Sequence, residues 1–220
     1  MIEIENLIKV YRRGKIEVIA IRDVSLRIEK GEMALLVGPS GSGKTTFLHL
    51  VGGIDRPTAG KIVVSGKNIA NFNDEELTNY RRKEVGMVFQ FFNLLPMLTA
   101  LENVMLPMEF VGVPRNERKS RAMELLKKVG MEDRKNHYPD EMSGGEQQRV
   151  AIAVALANDP PIILADEPTG ELDTETGMKI IELFKKLNDE GKTIIIATHD
   201  LRLEKYASRI LEIRDGKIHG

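Results

Sequence analysis

An α/β fold with a mostly parallel core sheet, an N-terminal antiparallel β subdomain and an inserted α-helical subdomain is predicted by three observations. The first 30 residues alternate apolar with charged positions. Short, continuous apolar runs recur at Met33 to Val37, Pro161 to Asp166 and Thr193 to Ala197. Between the first and second of these runs, from about Phe91 to Ala157, the pattern turns helical. Alternation marks half-buried strands, short apolar runs mark buried ones, and a one-sided stripe marks a helix packed on a core.

Taken in order, Ile2 and Ile4, then Val24, Leu26 and Ile28, place apolar side chains on one side of two antiparallel strands. Gly31-Glu32 turns into the strand Met33 to Val37, and Thr46 to Val51 continues as a helix that stops at Gly52-Gly53. Lys61 to Ser65 reads as a further strand between turns at Pro57 to Gly60 and at Gly66. Within Asn116 to Val129, Ala122, Leu125, Leu126 and Val129 recur at helical spacing, and Gly130 is a stop signal. The strand ending at Asp166 precedes a helix near Glu175 to Glu190, with Ile180, Ile181, Phe184 and Leu187 inward and Gly191 at its end. Asp215-Gly216 between Ile213 and Ile218 signals a closing hairpin. The whole chain, 1–220, reads as one domain, with 1–90 and 158–220 forming the α/β core and its β subdomain and 91–157 the helical insertion.

Bulk composition narrows the partners. Lys plus Arg number 32 against 33 Asp plus Glu, so no broad basic face is expected and nucleic acid is not a favoured partner. No apolar run approaches the roughly 18 residues that would span a bilayer. Glu3 and Glu5 precede any basic residue, unlike a secretory signal, which points to a cytoplasmic protein. With no cysteine, disulfides and thiolate metal sites are excluded.

Two stretches carry chemistry by their own physics. Gly38-Pro39-Ser40-Gly41-Ser42-Gly43-Lys44-Thr45 reads G-x-x-x-x-G-K-[ST] between a strand and a helix that begins near Thr46. Glycines let backbone N–H groups close around an anion, and the helix start adds partial positive charge. Lys44 is then expected on the β- and γ-phosphates and the Thr45 hydroxyl on Mg²⁺. The strand ending in Asp166-Glu167 places two carboxylates beside that loop. Adjacent strand residues point to opposite faces, so Asp166 is expected in the Mg²⁺ shell and Glu167 as the base that deprotonates an attacking water.

A third stretch, Met142-Ser143-Gly144-Gly145-Glu146-Gln147-Gln148-Arg149, holds a capping box in Ser143 and Glu146. The box leaves Gly144-Gly145 unexplained, because each glycine costs a helix about 1 kcal/mol against Ala. Bare N–H groups at a positive helix end would admit a phosphate from another molecule. With these motifs in this order, the chain resembles the ATP-binding subunit of an ABC (ATP-binding cassette) transporter over essentially its whole length, with a P-loop NTPase core. Within that family it is most similar to the subgroup serving lipoprotein release, macrolide or peptide export and cell division.

The resemblance implies the remaining roles. Tyr11 would stack on adenine, and Gln90 would contact Mg²⁺ and the water and report to the membrane partner. His199 would touch the γ-phosphate, and Glu171-Leu172-Asp173 would cross to a second subunit. Two copies would pair head-to-tail, each ATP lying between the phosphate loop of one and Ser143, Gly144, Gly145, Glu146 and Asp173 of the other. The motor would drive integral membrane permease subunits on separate chains from the cytoplasmic face of the membrane. A non-transporting ATPase acting mechanically through a membrane partner is the alternative, and a soluble relative working on nucleic acid or ribosomes the less favoured one. Glu146 departs from the usual Gln and is expected to cap its helix or meet ribose hydroxyls, away from phosphate. Val154 and Glu171 also depart from the common pattern. Phe91 to Val104, with Met105, Pro107 and Met108, combine subdomain core with material for a groove that could hold a partner helix.

Overall fold

The computed structural model describes residues 1–14 and 16–219. Ten strands and six α-helices follow the order β1 (Ile2–Arg13), β2 (Ile16–Ile28), β3 (Met33–Val37), α1 (Lys44–Val51), β4 (Ala59–Val64), β5 (Lys67–Asn68), α2 (Asp74–Lys83), β6 (Val85–Val88), α3 (Ala100–Glu109), α4 (Arg115–Lys128), α5 (Gly144–Ala155), β7 (Ile162–Asp166), α6 (Thr174–Asp189), β8 (Thr193–Thr198), β9 (Arg209–Arg214) and β10 (Lys217–His219). They form a four-stranded antiparallel sheet, β2-β1-β4-β5, and a six-stranded sheet, β10-β9-β3-β8-β7-β6. In the second sheet only the edge strand β10 runs antiparallel.

The core strands alternate strictly although both their faces are buried. Met33, Leu35 and Val37 of β3, Ile163 and Ala165 of β7, and Ile194 and Ile196 of β8 join the cluster formed with the helices α3 to α6. Ala34, Leu36, Ile162, Leu164, Ile195 and Ala197 face the other way, toward α1 and the antiparallel sheet. This two-residue period decides where the carboxylates go. Asp166 continues the Ile162–Leu164 series toward α1, and Glu167 departs from it.

In β1 and β2 the predicted alternation breaks at one level. Ile2 and Ile4 are buried, but so are Leu7 and Ile21, which are out of phase with their neighbours. Asn6 (φ 48°) and Asp23 (φ 52°) adopt left-handed backbone there. The Asn6 side chain donates to Asp23 Oδ1 at 3.0 Å, so paired bulges re-aim both strands. Leu26, read as inward, is only half-buried. The terminal hairpin turns on Asp215 (φ 49°) and Gly216 (φ 78°), the two positive-φ residues of a type I′ turn.

Two segments differ from the sequence expectation. Helix α2 went unread because only Leu77 and Tyr80 are buried and no apolar stripe forms. Its ends nonetheless carry a signal: an Asn73–Glu76 capping box, acids in the first turn and bases in the last. Residues 91–99 are irregular rather than helical, with Phe92 (φ 53°) and Asn93 (φ 54°) left-handed. Asn103, 4% exposed, holds this loop. Its Oδ1 accepts from Leu95 N at 2.8 Å, and its Nδ2 reaches the carbonyls of Leu95, Leu98 and Thr99 at 3.2, 2.9 and 3.0 Å. Asn103→Ala strips partners from buried backbone groups and is expected to cost about 2 kcal/mol. A denaturant midpoint unchanged from the parent would show that the loop does not depend on this amide.

Candidate functional site

The phosphate loop links β3 to α1 and is shaped by close approach. Gly43 has φ 111°, and a side chain there would begin 2.5 Å from Ala20 O. Lys44 is 8% exposed and its Nζ donates to Gly38 O at 2.8 Å and Pro39 O at 3.3 Å. The ammonium is thus held inside the loop, 3.6 Å from Glu167 Oε1. Ser42 is buried within the same loop.

Glu167 leaves the tip of β7 with φ 46°, a left-handed conformation that costs a non-glycine residue roughly 1–3 kcal/mol and that clusters at ligand sites. Its N–H donates to Ala197 O at 2.8 Å, which fixes the turn. The carboxylate lies between two cationic or donor groups: Lys44 on one oxygen, and His199 Nδ1 at 3.0 Å from the other. A carboxylate only accepts, so Nδ1 carries the proton. Asp166 points toward α1, and burial pushes its carboxyl up, against the Thr45 hydroxyl, which favours the charged form. Its Oδ1 is buried with no hydrogen-bond partner among the described residues.

That orphaned oxygen tests whether Mg²⁺ fits. The Asp166 carboxylate beside the Thr45 hydroxyl offers hard oxygen donors, as Mg²⁺ requires. No group of three or more His, Cys, Asp or Glu suited to a metal occurs among the described residues. Mg²⁺ commonly takes one or two carboxylates from a protein and completes its shell with waters and phosphate oxygens. The residues fit.

Phosphate loop, carboxylate and histidine open into one cleft of about 770 Å³, lined also by Tyr11, Val18, Ile19, Ala20, Thr46 and Gln90. Tyr11 lies on β1 with its hydroxyl donating to Asp55 Oδ2 at 2.8 Å and the Lys9 ammonium 4.8 Å from its ring centre. Burial pushes its phenol up. Val18 and Ile19 were not picked out from sequence. Their signal is apolar side chains 56% and 40% exposed at a strand end, which a reading for core faces passes over.

The stretch 143–146 lies elsewhere: none of the residues lining the cleft comes from it. Ser143 is exposed and caps α5, and Glu146 Oε2 accepts from Ser143 N at 2.8 Å and from Ser143 Oγ at 3.0 Å. Arg134 Nε meets the other carboxylate oxygen at 3.2 Å. The Ser143 N–H holds the Glu146 carboxyl below the usual range, and Arg134 adds to it. Of the two expected uses of Glu146, capping is the one this geometry displays.

Gly145 has a local cause that sequence reasoning missed. It is buried, and a Cβ there would lie 2.2 Å from Thr176 Cγ2 on α6. Gly144 meets only ordinary contacts, with Leu172 and Phe92. Packing of α5 on α6 therefore demands the second glycine whether or not a phosphate approaches it. Gly145→Ala is expected to destabilise the nucleotide-free chain by about 1–3 kcal/mol, and Thr176→Ser, which removes the opposing methyl, to restore most of the loss. A melting temperature insensitive to Gly145→Ala would contradict this.

Between the two faces, Asp173 caps α6 by accepting from Thr176 N at 3.0 Å. Arg202 also went unread. It holds Asp200 at 2.6 Å and reaches Thr174 Oγ1 at 3.0 Å, tying the segment after His199 to the start of α6.

A family model described as ABC transporter matches residues 21–170. An ABC transporter ATP-binding protein of Thermotoga maritima is 52% identical over 220 residues, covering 100% of this chain and 94% of that protein. The macrolide export ATP-binding/permease protein MacB of Bartonella quintana is 45% identical over 215 residues, spanning 98% of this chain and 33% of its own length. The solved dimer of the ATP-binding cassette MJ0796, in a post-hydrolysis state bound to ADP and Pi, superposes with a TM-score of 0.93 at 46% identity, covering 100% of this chain and 97% of that one. The chain belongs to the ABC transporter family, as its ATP-binding and ATP-hydrolysing subunit.

Proposed function

We propose that this chain is the Mg²⁺-dependent motor of a membrane exporter, working as a head-to-tail pair. The observation that carries the pairing is the separation of the two nucleotide-binding faces: the cleft is open, while Ser143 stands exposed away from it. One ligand bridging both faces of opposed copies couples dimerisation to ATP, and its hydrolysis to release. The dimeric state of the solved MJ0796 cassette supports this.

In the assembled site Tyr11 stacks on the base, and the backbone N–H groups of residues 40–46 with Lys44 hold the phosphates. Thr45, Asp166 and Gln90 would hold Mg²⁺, which when bound would spread the charge developing on the phosphate oxygens. Glu167 takes the proton of the attacking water, with Lys44 and His199 setting its position. His199 faces the terminal phosphate, and Ser143, Gly144 and Gly145 approach it from the second copy, with Asp173 at the seam and Glu146 capping behind them.

For the permease, a groove of about 360 Å³ lies between α2–β6 and α3–α5, with Pro107, Phe110 and Val154 among its walls. Phe110, Leu95, Met97 and Phe91 are 59%, 41%, 71% and 70% exposed, whereas Val104 and Met108 are core. An apolar groove rimmed by Arg81 and Arg82 suits one amphipathic helix. No helix among the described residues is long and apolar enough to cross a membrane. By its membership of a transporter family, the pathway is assigned to integral membrane permease subunits and this chain to the cytoplasmic face of the membrane. The similarity to a macrolide export protein favours export. Purification from the host with a membrane protein attached, followed by ATP-driven transport in proteoliposomes, is the expected result. A membrane partner that supports ATPase activity but moves no solute would favour the mechanical alternative.

A further inference from the structure

Gln90 follows β6, and its side chain lies across the turn that carries Glu167: a Cβ on Gly170 would sit 3.2 Å from Gln90 Nε2. Its Nε2 donates to Glu171 Oε1 at 3.0 Å. The turn is firm, with Gly170 N donating to Glu167 O at 3.0 Å and Leu172 N to Thr169 O at 3.1 Å. Glu171 itself is exposed.

A primary amide has two faces, and only its oxygen can ligate a hard cation. A carboxylate has no proton to give, so it accepts the amide's NH₂ and rejects its oxygen. We propose that Glu171 is a positioning residue that fixes the orientation of the Gln90 amide before nucleotide arrives, leaving Gln90 Oε1 as the atom offered to Mg²⁺. The inference rests on the reading of Gln90 as a metal-side residue. A neighbour that orients a ligand commonly changes metal affinity by about 10–100-fold when removed. An exposed partner belongs at the low end of that range.

The test uses the full-length chain and two readouts. In the nucleotide-free protein, ¹⁵N spectra should show a side-chain amide pair, assigned by its loss in Gln90→Ala, that is shifted and slow to exchange and that collapses to a free-amide signal in Glu171→Ala. In the Glu167→Gln background with saturating ATP, Mg²⁺ is titrated and dimer formation followed by light scattering. Glu171→Ala is expected to raise the Mg²⁺ midpoint about tenfold, and Glu171→Gln, which keeps an acceptor oxygen, to stay near the parent. If Glu171→Gln shifts as far as Glu171→Ala, the effect is one of charge and the orienting role is overturned. If Gln90→Ala shifts the midpoint and Glu171→Ala does not, only the Glu171 proposal fails. If Gln90→Ala itself leaves the midpoint unchanged, the metal-side reading of Gln90 fails and takes the proposal with it. Glu171 is exposed, so its replacement leaves the core intact.

Discussion

Glu167→Gln is expected to lower steady-state ATP hydrolysis by about 10²–10⁴-fold, the usual contribution of a positioned general base, while leaving ATP binding near normal. The amide matches the carboxylate in shape and still accepts from His199 Nδ1, which lies 3.0 Å from Glu167 Oε2 in the parent. What it loses is the capacity to take a proton. Because the step that breaks the ATP sandwich is slowed and the step that forms it is not, the variant should accumulate as a dimer with ATP and Mg²⁺. Size-exclusion with light scattering reads this directly. A variant that remains monomeric with ATP while the parent shows Mg²⁺-dependent hydrolysis would remove Glu167 from the role of base.

Lys44→Ala is expected to fail one stage earlier. Its ammonium is almost fully buried in the loop and lies 3.6 Å from Glu167 Oε1. In the bound state it exchanges the Gly38 and Pro39 carbonyls for phosphate oxygens, a charge-assisted contact roughly twice as strong as a neutral one. Removing one member of a buried, hydrogen-bonded charge pair costs about 2–5 kcal/mol. ATP affinity should therefore fall by about 30-fold or more, since 1.4 kcal/mol is a tenfold change in Kd. Isothermal titration or a fluorescent ATP analogue measures it. The contrast is the useful part: Glu167→Gln should bind ATP and stall, whereas Lys44→Ala should not load. Unchanged ATP affinity in Lys44→Ala would contradict the phosphate-binding role.

Much of this was legible because the chemistry is local. The phosphate loop, the strand ending in Asp166-Glu167, and the Ser143–Glu146 box each declare themselves within ten residues, and the period-2 rule anticipates that the two carboxylates diverge. The phosphate loop, Glu167 and His199 line one cleft for a simple reason: β3, β7 and β8 are adjacent parallel strands, so their tips meet. What escaped depends on pairing across distance. The bulges at Asn6 and Asp23 shift the phase of β1 and β2 through a contact between residues 17 apart. The non-helical loop 91–99 depends on Asn103, whose amide could not be aimed from sequence. Gly145 looked free for a ligand because Thr176, the methyl that requires it to be small, lies on another helix. Gln90 and Glu171 stand 81 residues apart, and nothing in either stretch announces the other.

The sandwich itself can be tested with thiols, since the parent chain has no cysteine. One preparation carries Ser40→Cys within the phosphate loop, a second carries Glu141→Cys beside Ser143, and both positions are exposed. Mixed in the Glu167→Gln background with a short bifunctional thiol reagent, the two chains should yield a covalent heterodimer when ATP and Mg²⁺ are present and none when nucleotide is withheld. ATP-saturated protein that gives no such product, or gives it equally without nucleotide, would contradict the proposal that each ATP is held between the loop of one copy and the 143–145 surface of the other.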